Sequence, residues 1–333
     1  MMNASQVESR PRATLSSDGT SASLSDSFKS RDAASYDSVT DEFDRFTQIL
    51  TTPLAQRLIS LVDPWLGERI LDIGTGTGVV AFEAARRVGV GGRVVGIDLS
   101  QGMLGMARAK AARAGLSSRV EFLKMDAEAL SVEDRSFGAV VSLFALFHFP
   151  DPLAALKEMF RVLYPGGRLV VAVGSGAPLL SATGLFHRLG RLPDLLAGVQ
   201  GRRLTAPDFL NALVENHLPG ADQPEETSLA RTGHLRGTGV AALVQRAGFE
   251  RPRSYWQGHR AILETPEEYW EVQRTFSSIA RKRLRQADPE IVGALKQKFV
   301  QTCDEVQSRG GKLVYPTGAL YVVARRPLAR ASA

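Results

Sequence analysis

The sequence contains a single cysteine, Cys303, among 333 residues. One cysteine excludes a disulfide framework within the chain, and it also excludes a metal site built from several cysteines. No apolar run approaches the roughly 20 residues that a membrane-spanning helix needs. The first residues also lack the apolar core of a secretory signal. We therefore expect a cytoplasmic protein that has no membrane span.

Two common nucleotide-binding motifs are also missing from a glycine-rich stretch of the chain. A P-loop would end in Gly-Lys-Ser or Gly-Lys-Thr, and a dinucleotide fingerprint would need a glycine at position 79, where the chain has Val79. The stretch instead reads Asp72-Ile73-Gly74-Thr75-Gly76-Thr77-Gly78. A short apolar run, Arg69 to Ile73, precedes it, and Val79 to Val88 follows with a helical pattern. The sequence thus predicts a buried strand, a tight turn and a helix.

The glycine turn has the properties of a ligand-binding loop. Glycine adopts positive φ without steric cost and lets a ligand approach the backbone closely. The helix that follows directs its first N–H groups toward the loop, where a negatively charged group is favoured. One glycine loop does not identify the ligand, so its identity depends on the residues that follow at fixed distances.

Two acidic residues end the next two predicted strands. Asp98 closes a strand that begins at Arg93, and Asp126 follows a strand that begins at Val120. A carboxylate at the end of the second strand can accept hydrogen bonds from both hydroxyls of a ribose. Alternatively, Asp98 could cap the next helix, and Asp126 could simply turn the chain.

The order of these motifs resembles the class I S-adenosylmethionine-dependent methyltransferases. After the glycine loop and the two acids come a continuous apolar strand, Phe137 to Phe144, and a Leu-Tyr-Pro-Gly-Gly turn that begins at Leu163. This resemblance extends from Tyr36 to Val173. Over that range the chain is similar to the small-molecule methyltransferases of ubiquinone and menaquinone biosynthesis. The Asn/Asp-Pro-Pro-aromatic motif of nucleic-acid adenine methylases is absent.

This resemblance implies S-adenosyl-L-methionine as the cofactor, S-adenosyl-L-homocysteine as its product, and no metal. The glycine loop would cradle the methionine end, Asp98 would bind the ribose, and Asp126 with the N–H of Ala127 would bind the adenine. The cofactor-binding residues that the resemblance implies are Tyr36, Asp72, Gly74, Thr75, Gly76, Gly78, Asp98, Leu99, Met103, Asp126, Ala127, Ser142, Leu143 and Phe147.

The implied reaction is transfer of the sulfonium methyl group to a small, apolar or aromatic acceptor by in-line displacement on O, C or N. Positioning alone supplies much of the rate in such a reaction, and a base is needed only where the acceptor loses a proton. His148 is the histidine placed to act as that catalytic base, although it could also simply line the pocket. The acceptor-binding candidates are Tyr36, Phe147, His148, Tyr255 and Trp256.

The expected architecture is an α/β fold with a Rossmann-like, doubly wound, mostly parallel seven-stranded sheet whose last strand is antiparallel. Residues 1–30 are polar and indicate a disordered tail. Residues 31–66 indicate a helical arm that covers the sheet, and the resemblance implies that this arm could also be a lid over the ligand. The cofactor-binding core spans residues 67–174, followed by a helical cap at 175–236 that would bind the acceptor. The sheet ends within residues 237–333, which contain a helical insertion at 266–309.

Basic residues are concentrated in the C-terminal third, where Arg281, Lys282, Arg283 and Arg285 cluster. The cluster could be a solvated helix face, or it could attract an acidic partner. Methylation of RNA or protein, and cofactor binding without catalysis, stay open as alternative functions. No nucleic-acid-binding module is recognisable, so the expected partner is a small-molecule acceptor and not a nucleic acid. A homodimer is also compatible with the sequence, since the arm and the insertion could form its interface.

Overall fold

The computed structural model describes residues 17–176, 203–205, 208–218 and 238–329. The helices of these ranges are α1 (Ser17–Asp37), α2 (Thr40–Leu50), α3 (Thr52–Val62), α4 (Val79–Val88), α5 (Gln101–Arg113), α6 (Pro152–Val162), α7 (Asp208–His217), α8 (Thr238–Arg246), α9 (Pro266–Phe276), α10 (Ser278–Gln286) and α11 (Pro289–Ser308). The strands are β1 (Arg69–Ile73), β2 (Arg93–Asp98), β3 (Val120–Lys124), β4 (Phe137–Leu143), β5 (Leu163–Gly174), β6 (Arg203–Thr205), β7 (Glu250–Leu263) and β8 (Lys312–Arg325). No helix within these ranges is long and apolar enough to cross a membrane.

The strands form one sheet whose first five members run parallel in the order β3-β2-β1-β4-β5. β8 lies antiparallel against β5, and β7 lies antiparallel against β8. β7 therefore runs parallel to β5, and β8 is the reversed strand of these seven. The predicted mostly parallel, seven-stranded sheet with an antiparallel last strand is confirmed.

A short eighth strand, β6, extends this sheet. It pairs in parallel with the first residues of β8, Lys312 to Val314. β5 pairs with the second half of β8, from residue 319 to residue 325, whereas β7 pairs along almost the whole of β8. Because a strand has only two hydrogen-bonding edges, β5 and β6 must share one edge of β8.

Helices cover both faces of the parallel strands because those strands are apolar on both sides. On one face α3, α4 and α5 pack buried residues such as Leu58, Ala84 and Leu104 against the strands. On the other face α6 and α8 do the same, through residues such as Leu156 and Val244. With helices connecting parallel strands in this way, the carboxyl ends of β1 to β4 meet at one edge of the sheet.

A third apolar cluster joins the N-terminal arm to the C-terminal insertion. It takes buried residues from α2, α7, α9, α10 and α11 and from the first half of β8. Phe299 of α11 lies within it, with ring centroids 5.3 Å from Trp270 and 5.7 Å from Tyr269. The helices α9, α10 and α11 of this cluster lie between the last two strands, β7 and β8.

The N-terminal region corrects one prediction. Residues 17–30 belong to α1 and are not a disordered tail, and residues 1–16 lie outside the described ranges. The segment has few apolar residues, so its sequence gives no helical stripe. Tertiary ion pairs hold it instead, because Lys29 contacts Asp126 at 2.7 Å and Glu128 at 2.6 Å. The boundary placed at residue 30 is therefore wrong.

The predicted cap at residues 175–236 falls largely outside the described residues. The structure describes Ser175, Gly176, β6 and α7 with the residue that follows it. α7 contributes Leu210 and Val214 to the third apolar cluster. The role of the cap in acceptor binding therefore stays a prediction.

Candidate active site

A cavity of about 800 Å³ lies at the carboxyl ends of β1 to β4. The glycine loop and the strand ends form one part of its wall, and α1, α2 and the middle of β8 form another. The predicted cofactor residues that line it are Tyr36, Gly74, Thr75, Gly76, Asp98, Leu99, Met103, Asp126, Ala127, Leu143 and Phe147. Asp72, Gly78 and Ser142 are buried and do not line it.

The glycine loop needs glycine at two positions for different reasons. Gly74 has a φ of +68°, and a Cβ there would stand 2.2 Å from the Cβ of Ala145 in the segment after β4. Gly78 has a φ of +89° and comes directly before α4, in which the N–H of Ala81 donates a hydrogen bond to Asp72. Val79 and Val80 of the first turn of α4 line the cavity. The N–H groups of Val79 and Val80 have no carbonyl partner within the helix, so this end of the cavity is favourable for an anionic group.

Asp98 holds the glycine loop from the end of β2. Its Oδ2 accepts a hydrogen bond from the N–H of Gly76 at 2.9 Å, and its Oδ1 accepts one from the N–H of Ser100 at 3.0 Å. Burial raises the pKa of this carboxyl, against the opposing effect of the backbone donors. The cap of α5 is Ser100, whose Oγ accepts a hydrogen bond from the N–H of Met103. The alternative that Asp98 caps this helix is therefore wrong.

Asp72 lies on β1 just before the glycine loop, and its residue surface is 1 % exposed. The hydroxyl of Thr75 donates a hydrogen bond to its Oδ2 at 2.7 Å. Burial raises the pKa of Asp72 to about 7, and the charge of nearby Asp98 acts in the same direction. Because the side chain does not line the cavity, Asp72 can act on a ligand only through the loop or through its charge.

Asp126 stands after β3, in contact with α1. Its Oδ2 accepts a hydrogen bond from Nζ of Lys29 at 2.7 Å, and its Oδ1 accepts one from the N–H of Glu128 at 2.9 Å. Lys29 also pairs with the carboxylate of Glu128 at 2.6 Å. The sequence carries no signal for Lys29, because one lysine in a polar segment looks like any solvated residue.

A chain of polar side chains joins α1 to the segment after β4. Nδ1 of His148 lies 2.9 Å from Oδ2 of Asp32, and Nε2 of His148 lies 3.2 Å from the hydroxyl of Tyr36. Oδ1 of Asp32 pairs with Lys282 at 2.9 Å. Burial acts to raise the pKa of Asp32, but His148 and Lys282 outweigh it and hold the pKa below its ordinary value. Asp32, which sequence reasoning missed, is therefore an ionised carboxylate at neutral pH.

Helix α10 explains part of the basic cluster. Arg281 is 3 % exposed, and its guanidinium carbon lies 4.2 Å from the ring centroid of Tyr36. Lys282 pairs with Asp32. Burial raises the pKa of Tyr36, although Arg281 opposes this, so the phenol keeps its proton at neutral pH. Both basic residues face α1, where Lys282 finds its acidic partner, Asp32, and Arg281 lies over the ring of Tyr36.

The segment after β4 turns sharply into the cavity. Phe144 has a φ of +63°, a strained value for a residue other than glycine. A single 3-10 turn follows over Leu146–His148. This turn places Phe147 and His148 on the cavity wall. Strain of this kind is often found at functional sites, where the surrounding structure holds it.

Aromatic side chains from distant parts of the chain form a continuous part of the wall. Phe43 of α2 and Phe276 of α9 stack with ring centroids 5.0 Å apart and an angle of 29°. Tyr36 meets Phe43 edge-on at 5.9 Å, and Tyr315 of β8 also lines the cavity. We call Phe43, Phe276 and Tyr315 the aromatic wall. Sequence reasoning missed Phe276 and Tyr315, because nothing near them in sequence marks a site.

The two acceptor-binding candidates on β7 lie in different places relative to the cavity. Trp256 lines the cavity and donates a hydrogen bond to the carbonyl of Ser175 at 3.2 Å. Tyr255 does not line the cavity and is 38 % exposed. Successive side chains of a strand point to opposite faces, so only one of this pair can reach the site.

The other described histidines lie away from this cavity. Nδ1 of His217 lies 2.9 Å from the carbonyl of Leu213, and Nε2 of His259 lies 2.6 Å from the carbonyl of Ile49. His187 and His234 fall outside the described ranges. In the part of the chain that the structure describes, no group of three or more His, Cys, Asp or Glu side chains could hold a metal ion.

Comparison with known proteins identifies the family. A family model described as a methyltransferase domain matches residues 70–167. The chain is 36 % identical over 235 residues to the aklanonic acid methyltransferase DauC of a Streptomyces species, covering 66 % of this chain and 96 % of that protein. It is 32 % identical over 219 residues to the demethylmenaquinone methyltransferase of Clavibacter sepedonicus, covering 64 % of this chain and 84 % of that protein.

Solved structures agree with the fold. The crystal structure of the cyclase SpnF superposes with a TM-score of 0.50 at 21 % identity, covering 88 % of this chain and 95 % of that chain. The curated relatives favour small-molecule methyl transfer over RNA or protein methylation and over cofactor binding without catalysis. The chain belongs to the class I S-adenosylmethionine-dependent methyltransferases that act on small molecules.

Proposed function

We propose that the chain methylates a small, flat aromatic acceptor, with the cofactor on the glycine loop and the acceptor against the aromatic wall. The observation that carries this proposal is that both surfaces line one cavity of about 800 Å³. Pockets for drug-sized ligands have volumes of about 300–1,000 Å³. A cavity near the upper end of this range has space for a cofactor and an acceptor side by side.

The residues around the glycine loop fit S-adenosyl-L-methionine. The backbone at Gly74 leaves no space for a side chain, and the first turn of α4 offers free N–H groups to a carboxylate. We assign the ribose hydroxyls to Asp98 and the adenine to Asp126 and Ala127. Bound in this cavity, the cofactor supplies a methyl group that its sulfonium has already activated.

The aromatic wall fits a planar acceptor. Phe43 and Phe276 already stack, and a further aromatic ring beside them would gain the same kind of contact. Phe147 and Trp256 add apolar surface to the same cavity. Two relatives are named for aklanonic acid and for demethylmenaquinone, and the second is a quinone. We infer that the acceptor of this chain is a quinol or a related polycyclic phenol.

We infer that the N-terminal arm is a lid that excludes water from the reaction. Oδ1 of Asp37 accepts hydrogen bonds from the hydroxyl of Ser100 at 2.5 Å and from the N–H of Gly102 at 2.8 Å. Lys29 binds the carboxylates of Asp126 and Glu128 at the other side of the site. α1 is thus attached to the loops after both β2 and β3, over the position assigned to the cofactor.

Calorimetric titration with S-adenosyl-L-homocysteine tests the cofactor assignment, and one-to-one binding in the micromolar range is expected. Incubation with S-adenosyl-L-methionine carrying a labelled methyl group, together with reduced menadione or a hydroxyanthraquinone, should then give a labelled product. The absence of binding in a folded sample would contradict the cofactor site. Binding without transfer to any aromatic probe would contradict the acceptor class.

The expectation that no nucleic acid takes part stays a prediction with its own test. Salt-dependent retention of RNA on a filter would contradict it, because phosphate contacts make such binding salt-sensitive. The homodimer is tested in the same sample by sedimentation. A monomer with full transfer activity would show that the site is complete within one chain.

A further inference from the structure

We propose that Asp32 is a positioning residue for a general base at His148, and that Tyr36 passes the proton of the acceptor to that base. The inference rests on the proposed methyl transfer and narrows its acceptor class. The acceptor would carry a phenolic or enolic hydroxyl that must lose its proton as the methyl group arrives. An acceptor with a carboxylic acid group is already ionised at neutral pH and would need no general base.

The hydrogen bonds of His148 determine which ring nitrogen carries the proton. Asp32 is ionised, so its oxygens can only accept hydrogen bonds. Nδ1 of His148, 2.9 Å from Oδ2, must therefore carry a hydrogen. In the neutral ring this leaves a lone pair on Nε2, which accepts the hydroxyl hydrogen of Tyr36 across 3.2 Å. The imidazole is thus held in the tautomer that can take up a proton on its Tyr36 side.

Asp32 is itself fixed by a second contact. Lys282 pairs with its Oδ1 at 2.9 Å, which leaves Oδ2 for His148. The side chain of Asp32 is 9 % exposed, so water competes little for either oxygen. A buried carboxylate held on both oxygens can orient the imidazole and stabilise the positive charge that the ring acquires.

The base faces the place where the reaction would occur. Asp32, Tyr36 and His148 all line the cavity, together with Asp98 and the glycine loop. The side chain of His148 keeps 33 % of its surface exposed, so it is within reach of a ligand. Phe147, the neighbour of His148, lines the same cavity. The polar chain therefore opens toward both the cofactor position and the aromatic wall.

The chemical step balances without any further reactant. The acceptor oxygen forms a bond to the methyl carbon, and the carbon–sulfur bond breaks with its electron pair remaining on sulfur. The hydroxyl proton of the acceptor passes to the oxygen of Tyr36 while the proton of Tyr36 passes to Nε2 of His148. The products are the methyl ether, S-adenosyl-L-homocysteine and a protonated His148, which later releases its proton to water.

The base is complete only when three separate elements meet. His148 follows β4, Asp32 and Tyr36 lie on α1, and Lys282 lies on α10. Docking of α1 therefore both covers the cavity and completes the proton path. Proton removal is then confined to the closed site, where a methyl group cannot be lost to water.

Two probes separate a proton-transfer role from a structural one. The first is a hydroxyanthraquinone whose hydroxyl is protonated at the assay pH, and the second is a nitro-substituted analogue whose hydroxyl is already ionised. General-base catalysis contributes about 100-fold or more, so Asp32→Asn and Tyr36→Phe should each lower kcat by about that factor on the first probe. On the second probe both variants should lose far less, so the ratio of kcat on the first probe to kcat on the second should fall about 100-fold relative to the wild type. His217→Gln, at a histidine remote from the cavity, is the matched control.

The pH profile adds a second readout. With the variants, the rate on the first probe should follow the ionisation of the hydroxyl of the probe itself. Equal losses on both probes, or no loss on either, would overturn the proposal. Wild-type transfer to the ionised probe needs the cofactor site but no base, so its failure would instead contradict the proposed function.

The tautomer of His148 gives a test that needs no turnover. Nitrogen-15 NMR of the labelled full-length protein should place the proton on Nδ1 in the wild type. Asp32→Asn should lose this preference, because an amide no longer demands a hydrogen from the ring. A proton on Nε2 in the wild type would overturn the proposal, and this measurement decides even if the variant does not fold.

Discussion

The two sides of the cavity are built in different ways. The glycine-loop side consists mainly of backbone: a tight turn, the free N–H groups of α4 and the ends of parallel strands. The other side consists of side chains from α1, α2, α9 and β8. Phe43 and Phe276, which stack there, come from opposite ends of the chain.

This difference separates the part of the site that recognises the cofactor from the part that recognises the acceptor. A backbone cradle depends on a few glycines and allows little change, since any side chain would occupy the space of the ligand or of the neighbouring strand. A wall of side chains can change one residue at a time while the fold persists. Proteins that share a fold differ in function through the side chains of such sites. Substitutions on the two sides should therefore have separable effects.

The largest effect is expected from Gly74→Ala on the backbone side. The new Cβ would lie 2.2 Å from the Cβ of Ala145, at a φ of +68° that side chains rarely adopt. Overpacking of this kind costs about 1–3 kcal/mol, in addition to the backbone strain. We expect a fall in the free energy of unfolding and loss of S-adenosyl-L-homocysteine binding by calorimetry. Gly105→Ala in α5, where a Cβ meets nothing within 4 Å, is the control and should bind normally.

The second effect concerns Asp72, whose pKa burial raises to about 7. The folded protein then holds this proton more tightly than the unfolded chain, whose Asp has a pKa of about 3.9. Between about pH 4 and pH 7 the free energy of unfolding should therefore fall as pH rises, by up to about 1.4 kcal/mol per pH unit from this group. Asp72→Asn should remove that slope in urea unfolding at pH 5, 6 and 7. If the free energy of unfolding had the same pH slope in the wild type and in Asp72→Asn, the raised pKa of Asp72 would be contradicted. Asp304→Asn, on the exposed face of α11, is the control.

Asp98→Ala should weaken binding of S-adenosyl-L-homocysteine at least tenfold, or about 1.4 kcal/mol. The carboxylate ends β2 on the cavity wall and also holds the N–H of Gly76. Calorimetry measures the affinity, and circular dichroism shows that the variant is folded. Asp134→Ala removes a carboxylate before β4, at the opposite end of the sheet, and should leave the affinity unchanged. If folded Asp98→Ala bound S-adenosyl-L-homocysteine with unchanged affinity, the assignment of the ribose hydroxyls to Asp98 would be wrong.

The smallest effect is expected on the aromatic side, from Phe276→Ala. Loss of one stacked ring costs about 1 kcal/mol, so KM for a hydroxyanthraquinone should rise about fivefold. Affinity for S-adenosyl-L-homocysteine should not change, since Phe276 contacts Phe43 and not the glycine loop. Tyr164→Ala, a half-exposed aromatic near the start of β5, is the control. If Phe276→Ala also lowered the affinity for S-adenosyl-L-homocysteine, the separation of cofactor binding from acceptor binding would be wrong.

The cofactor side is largely predictable because its determinants are close in sequence. Parallel strands joined by helices place their carboxyl ends together, so the strand pattern alone assigns Asp98 and Asp126 to one edge of the sheet. The helix α1 has no visible apolar pattern in the sequence, because polar contacts such as the ion pair of Lys29 with Glu128 help to hold it in place. His148 stands out as a candidate base, but its partner Asp32 lies 116 residues away.

By itself, the sequence determined the order of strands and helices from β1 to β5, the glycine turn and the family to which they belong. These features follow from apolar periodicity and from residues with special backbone freedom, which act over short stretches. Only the tertiary structure decided that Asp32, His148 and Tyr36 form one polar chain, and that Trp256 and not Tyr255 enters the cavity. Such contacts depend on the packing of elements distant in sequence, and no local pattern records which side chains will meet.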